Sequence, residues 1–331
     1  MLLSIVIPHY NLPKPMLTRC VASIIKQEIP EEKYEIIVVD DGSAEPPLWL
    51  SSIFKSSNIR VIAAEHGGPG AARNRGMEEA AGKYIMFADA DDYLITNGEI
   101  HHCLSKLEEE ESPDILRYRY IVSTDKKYPK VKKIKFGKTV SGAEYMAKNN
   151  LPGSPCCYFF KRELAANKGI KFPANIFHED EEFNTILHYH AATLTECNAY
   201  LYLYCIREGS TTANSSAEFE EARLDNLFHI IERLVYFRSS FSEHATPMQK
   251  KAINRKLNTL ATDAMLNLFY AGKSAPEIWE ACKARLSPLS LYPILAASYS
   301  IKYCIFRLLA NNKYGLKLLR KRIPAHKPAK K

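Results

Sequence analysis

Short runs of aliphatic and β-branched residues recur along the first 90 residues, separated by stretches whose apolar positions follow helical spacing. "LSIVIP" (3 to 8), "YEIIVVD" (34 to 40), "IRVIAA" (59 to 64) and "KYIMFAD" (83 to 89) are four-to-seven-residue apolar runs, the signature of buried strands. Between them, Met16, Cys20, Ile24 and Ile25 share a helical face over 15–29, and Pro69 opens a second helix over 69–81. Strand and helix alternate. That alternation predicts an α/β, Rossmann-like fold with a mainly parallel sheet flanked by helices.

The rest of the chain changes character. "ILRYRYIV" (115 to 122) and "ATLTECNAYLYLYCIR" (192 to 207) predict strands, and the lysine-rich 126–138 an exposed hairpin. "SGAEYMAKN" predicts a short helix capped by Ser141, with Glu144 three residues on, and "FHEDEEFNTILHYH" starts another. From about Glu218 onward the pattern is helical throughout. The expected division is therefore a catalytic domain over 1–215 and a helical C-terminal region over 216–331.

Polar residues cluster where the strands end. "HYN" follows the first strand, "DDGS" the second, "HGGPG" the third and "DADD" the fourth. In open α/β sheets ligands gather beyond the carboxyl ends of strands, so four loops converge on one candidate site. Within "YIMFADADDYL" (84 to 94), Asp89, Asp91 and Asp92 follow directly on a buried run. Such a cluster costs stability unless something positive sits among the carboxylates, either a cation or helix N-terminal N–H groups.

Composition narrows the class without naming it. At 331 residues the chain exceeds the roughly 150-residue prior for one domain, and 46% hydrophobic with 25% charged content is that of a soluble globular protein. Its eight cysteines form no C-x-x-C pair, and His101 with His102 and His188 with His190 lack zinc spacing. The cysteine pattern, in a chain too large to need disulfide staples, favours a reducing, cytoplasmic setting. "MLLSIVIPHYN" has no basic leader and is cut by Pro8, so it predicts a strand rather than a signal peptide. Net charge is +8, yet the last 31 residues alone carry ten Lys and Arg and no carboxylate, so the first 300 are slightly acidic. No basic surface interleaved with aromatics argues for nucleic acid.

These motifs, in order and spacing, resemble a family 2 glycosyltransferase of the GT-A fold: "LSIVIPHYN", "EIIVVDDGS", "GPGAARNRGM", "AAGKYIMFADADDYL", "HEDEEF" and "YCIREGS". The resemblance covers roughly residues 3 to 212. It implies an inverting, metal-dependent enzyme that moves a sugar from a nucleotide-diphosphate sugar, most often UDP-linked, to a glycan or lipid-linked acceptor in surface polysaccharide synthesis. It implies that the DxD carboxylates hold Mn²⁺ or Mg²⁺, with Asp91 the direct ligand and Asp89 assisting at the metal or the ribose. Asp41 is implied to meet the nucleobase with Asp40 in support, Tyr10 to stack on it, and Pro8, Arg73 and Arg207 to belong to the nucleotide and substrate set. Asp180 is implied as the catalytic base, with Glu179 orienting the acceptor.

One segment departs from the family. Where relatives commonly carry Trp and Lys before "KREL", this chain has Cys156 and Tyr158, so the acceptor does not transfer by analogy. Two other classes compete. A sugar-1-phosphate nucleotidylyltransferase calls for a Gly-rich loop after the first strand, which "IPHYN" is not. A non-enzymatic phosphate-receiver domain calls for about 120 residues and an acidic pair after the first strand, whereas "DDGS" follows the second. Finally, Ile294, Leu295, Ile301, Ile305, Leu308 and Leu309 form one apolar stripe, and Lys302, Lys313, Lys317 and Arg320 a basic face, if a single helix runs past Asn311, Asn312 and Gly315. That predicts peripheral attachment to an anionic inner membrane face.

Overall fold

The structure is a computed structural model that describes residues 1–123, 129, 131–151, 153–206, 216–295 and 300–325. It divides into two compact units, one of Met1–Tyr145 with Leu151–Ser210, the other of Met146–Asn150 with Thr211–Lys331.

The first unit is built on one eight-stranded sheet. Its strands are β1 (Leu3–His9), β2 (Tyr34–Asp40), β3 (Ile59–Ala63), β4 (Tyr84–Phe87), β5 (Tyr93–Leu94), β6 (Ile115–Ser123), β7 (Tyr158–Lys161) and β8 (Leu194–Cys205). Their spatial order is β3-β2-β1-β4-β7-β6-β8-β5. The four expected N-terminal strands are all present and mutually parallel. β7 is antiparallel to β4 and β6, β5 is antiparallel to β8, and β6 and β8 are parallel. Order reverses between β1 and β4. At such a switch point the loops on either side part and leave a crevice at the strand ends.

Helices α1 (Lys14–Ile25), α2 (Leu50–Phe54), α3 (Gly68–Glu79), α4 (Glu99–Glu108), α5 (Gly142–Lys148), α6 (Arg162–Lys168) and α7 (Glu179–His190) connect the strands. Leu17, Val21 and Ile24 on α1 and Phe183 and Leu187 on α7 are fully buried with Ile5, Ile7, Ile36, Val38 and Phe87 of the sheet. Ser141 caps α5 as its sequence implied, accepting from Glu144 N at 3.1 Å. The lysine-rich segment, and with it the expected hairpin, lies partly outside the described residues. Among the described residues Phe136 and, just beyond the segment, Val140 form bridges with Cys197 and Leu194 of β8.

The second unit is helical, as its periodicity implied: α8 (Ala217–Ser240), α9 (Pro247–Tyr270), α10 (Ala275–Arg285), α11 (Ile301–Ala310) and α12 (Lys313–Arg322). Capping boxes start α9 at Thr246 and Gln249 and α10 at Ser274 and Glu277. The expected single C-terminal helix is corrected here. α11 stops at Ala310, and Asn312 caps a new helix by accepting from Gly315 N at 2.7 Å. An Asn side chain that satisfies the first turn favours a restart over continuation. That break parts Lys302 from Lys313, Lys317 and Arg320, and the expected apolar stripe is shortened separately, because Ile294 and Leu295 precede α11 and Ile294 is buried while Leu295 is exposed. Among the described residues no helix is long and apolar enough to cross a membrane.

Candidate active site

The crevice is furnished by the ends of β1, β2 and β4 and the first turns of α3 and α7. After β2, both Asp40 and Asp41 are buried. Asp40 Oδ2 accepts from Ser43 N at 3.3 Å, which shapes the turn. Asp41 turns to the loop after β3, where Oδ1 accepts from Gly67 N and Oδ2 from Gly68 N, each at 2.9 Å. Gly68 sits at φ +82°, a region costly to residues with a Cβ. His66 Nδ1 lies 2.9 Å from Asp41 Oδ2, and its ring stacks on Tyr10 with centroids 4.3 Å apart. Tyr10 therefore has an aromatic partner on the rim, and Pro8 lies one turn of the pleat below in β1.

Arg73 links the two acidic segments. Its guanidinium is buried on α3, donating from Nη2 to Asp89 Oδ1 at 2.8 Å and from Nη1 to Glu179 Oε1 at 3.0 Å. Its face rests 5.4 Å from the Phe172 ring, itself stacked on Phe183 of α7 at 3.9 Å. Burial alone would weaken the charge. Asp89 and Glu179 more than offset it and hold the Arg73 proton more firmly than usual.

The acidic loop after β4 divides its labour. Asp92 is buried, and its Oδ2 accepts from Tyr202 Oη and Oδ1 from Cys205 N, both at 2.7 Å. Burial, reinforced by the charge of Asp89, pushes the Asp92 carboxyl up to about 8 against the pull of those two hydrogen bonds. Tyr202 Oη also accepts from Asp89 N at 2.9 Å, so one tyrosine fixes both ends of the loop. Arg19 of α1 donates to the Asp91 carbonyl and stacks on Tyr93 at 4.8 Å. Asp89 and Asp91 are half-buried in the loop that follows the carboxyl end of β4. Among the described residues no group of three His, Cys, Asp or Glu could hold a metal unaided. Carboxylate oxygens, completed by oxygens of water or of a bound ligand, are nonetheless a donor type that Mg²⁺ or Mn²⁺ accepts. The chemistry of the residues therefore fits a divalent cation.

α7 begins with four acids, Glu179 to Glu182, at the positive end of its dipole. Asp180 is half-buried there, and its Oδ2 lies 3.7 Å from where a Cβ on Gly153 would stand. The loop opposite is fixed by Asn184, whose Nδ2 donates to Gly153 O at 3.0 Å and whose Oδ1 accepts from Tyr158 Oη. Cys156, the departure noted in the sequence, is buried beneath, its thiol pushed up by burial and by Asp89. His188 is core, as expected, and Arg207 lies outside the described residues.

This placement can be compared with known proteins. Residues 4–167 match the family model for glycosyl transferase family 2. That segment belongs to glycosyl transferase family 2. Within this family 2 domain lie Pro8, Tyr10, Asp40, Asp41, Arg73, Asp89 and Asp91, while Glu179 and Asp180 follow it. A poly(ribitol-phosphate) beta-glucosyltransferase of Bacillus spizizenii is 42% identical over 98 residues, which are 28% of this chain and only 15% of that longer protein. The crystal structure of Staphylococcus aureus TarS in complex with UDP-GlcNAc matches with TM-score 0.69 at 20% identity, covering 97% of this chain and 90% of that one. A mannosyltransferase of Pyrobaculum calidifontis, in complex with GDP-Man and Mn²⁺, matches with TM-score 0.53 at 15% identity, covering 98% and 86%. The fold is thus that of GT-A glycosyltransferases, a mostly parallel sheet flanked by helices with a helical C-terminal region.

Four residues of the site were missed in the sequence. Tyr202 had a signal, since Tyr200, Tyr202 and Tyr204 alternate along one strand face. His66 stood within the "HGGPG" segment, though its contacts to Asp41 and Tyr10 were not read there, and Arg19 and Asn184 had no signal, because their roles depend on contacts across 72 and 31 positions.

Proposed function

We propose that this chain is an inverting, metal-dependent glycosyltransferase that moves a sugar from a UDP-linked donor to a hydroxyl of a glycan or lipid-linked acceptor in surface polysaccharide synthesis. The family of residues 4–167 supports it, as do relatives named for glucosyl and N-acetylglucosaminyl transfer to poly(ribitol-phosphate). One observation carries it furthest: Arg73 holds the Asp89 loop and the Glu179–Asp180 helix start on one rim, the two carboxylate groups that such a reaction separates into donor and acceptor sides.

On this reading Asp180 takes the proton of the acceptor hydroxyl as its oxygen bonds to the anomeric carbon and the bond to the diphosphate breaks, the electron pair leaving with the nucleotide. Attack opposite the leaving group inverts the anomeric centre. Glu179 orients the acceptor and is itself positioned by Arg73. Asp91, with Asp89 beside it, would hold Mn²⁺ or Mg²⁺. When bound, that ion neutralises charge building on the departing diphosphate. Pro8, Tyr10, Asp40, Asp41 and Arg207 form the nucleotide and substrate side, with His66 supporting Tyr10. The catalytic domain spans 1–215 and the helical region 216–331. The chain works at the cytoplasmic face of a membrane, where a lipid-linked acceptor is presented.

Differential scanning fluorimetry against UDP-, GDP- and CDP-linked sugars, with and without Mn²⁺, tests the donor class. A ligand that binds only the native state raises its midpoint by mass action. A UDP-sugar should stabilise the chain only with the divalent ion present. Absence of stabilisation by every nucleotide sugar would overturn the proposal.

A further inference from the structure

We propose that α11 and α12 together form a preformed docking surface for an anionic lipid bilayer, Ile301, Ile305 and Leu308 entering the apolar boundary and Lys317 and Lys321 meeting headgroup phosphates. The inference deepens the membrane association proposed above by replacing one long amphipathic helix with a compact helix pair. Its test does not depend on donor chemistry.

Ile301, Ile305 and Leu308 fall within about 60° of one another on α11, and they are 80%, 54% and 64% exposed. Three large aliphatic side chains on one uncovered stripe mark an interaction surface rather than scatter. α12 continues the theme. Tyr314 and Leu318 are 81% and 54% exposed, and Lys317 and Lys321 share their side of the helix at 100° per residue. The pair is rigidly set, because a Cβ on Gly315 would stand 2.0 Å from Leu309 O, so only glycine permits so close a turn between the helices.

Charge selects the occupant. No carboxylate occurs from 301 to the end of the chain, and among the described residues neither Lys317 nor Lys321 has an acidic partner within salt-bridge distance. A second copy of this chain would set the same basic surface against itself. A surface of phosphates over hydrocarbon satisfies both halves, with lysine stems lying along the apolar boundary. Arg320 is not part of the surface. It donates to Phe269 O and, at 2.6 Å, to Ile323 O, with its guanidinium 5.7 Å from the Phe269 ring.

Sedimentation of the full chain with vesicles of phosphatidylcholine alone, or of phosphatidylcholine with phosphatidylglycerol, decides the matter. Binding should require phosphatidylglycerol, weaken with salt, and fall at least about tenfold in a Lys317→Glu/Lys321→Glu variant. An Ile305→Asp/Leu308→Asp variant should lose it too, with its melting temperature unchanged. Equal binding to neutral vesicles, or unchanged binding by both variants, would overturn the proposal. So would self-association or attachment to an acidic protein that the Ile305→Asp/Leu308→Asp change abolishes while vesicles go unbound. UDP-sugar stabilisation measured on the same variants keeps the two proposals apart: losing one leaves the other standing.

Discussion

Arg73 Nη1 donates to Glu179 Oε1 at 3.0 Å across 106 positions of sequence, while its other terminal nitrogen holds Asp89. The planar fork of arginine spans two carboxylates at once, and a lysine ammonium on its flexible stem cannot hold the same geometry. Arg73→Ala leaves two partly buried carboxylates uncompensated and should cost about 3–5 kcal/mol in urea unfolding. Arg73→Lys should recover part of that stability and little of the activity. Equal stability in all three proteins would mean the bridge is ornamental.

Asp91 is expected to carry charge rather than architecture, since the neighbouring Asp92 supplies the loop's buried hydrogen bonds. Asp91→Asn should keep the wild-type melting temperature and lose at least about a hundredfold in turnover, the scale of several kcal/mol of lost charge stabilisation. Chelation of divalent ions should do the same to wild type. Full turnover of wild type in excess chelator would remove Asp91 from its proposed role.

Asp180→Asn removes the proposed proton acceptor while keeping the shape of the side chain. Turnover should fall by about 10²–10⁴-fold with donor affinity nearly intact. Donor affinity by calorimetry and turnover by product release need separate measurement, and a parallel fall in both would make Asp180 structural.

The asymmetry between these residues and their supports shows what sequence can and cannot reveal. β1, β2 and β4 were legible because each is a largely apolar run buried inside the sheet, and β3, a half-buried edge strand, because it is rich in β-branched residues. β5, of two residues, and β7, of four, exist only through pairing with distant strands, so no local period marks them. α4 did carry a signal, Ile100, Cys103, Leu104 and Leu107 at helical spacing, obscured by the polar pair His101 and His102. The C-terminal helices were legible as helices but not as two, since ending α11 depends on Asn312 capping the next turn. In the site, the carboxylates stood out as motifs. Arg19 and Asn184 meet their partners only through the crossovers of the sheet.

Asp92 offers a test of the buried support. In Asp92→Asn an amide nitrogen must face either the Cys205 N–H or the Tyr202 hydroxyl, leaving a buried donor without its acceptor. A loss of about 1–3 kcal/mol follows. Thermal and urea denaturation should both show it. A neutral result would mean that Tyr202 alone fixes the loop through its bond to Asp89 N.

His9 sets a pH dependence of stability. Its ring is buried at the end of β1 with Nδ1 unpartnered, opposite Asp40, whose Oδ1 is likewise unpartnered. Burial lowers its pKa below the ordinary 6.5, and the charge of Asp40 opposes but does not cancel that effect. The folded state thus binds a proton less readily than the unfolded one. Stability from His9 is fully present above pH 6.5 and is lost as pH falls through the lowered folded value. His190, lowered by burial and by Lys168, contributes in the same direction. Melting temperature should therefore decline on acidification below that point, and His9→Gln should make the decline shallower without abolishing it, because His190 still titrates. The same slope in the variant as in wild type would show that His9 is not the group being protonated.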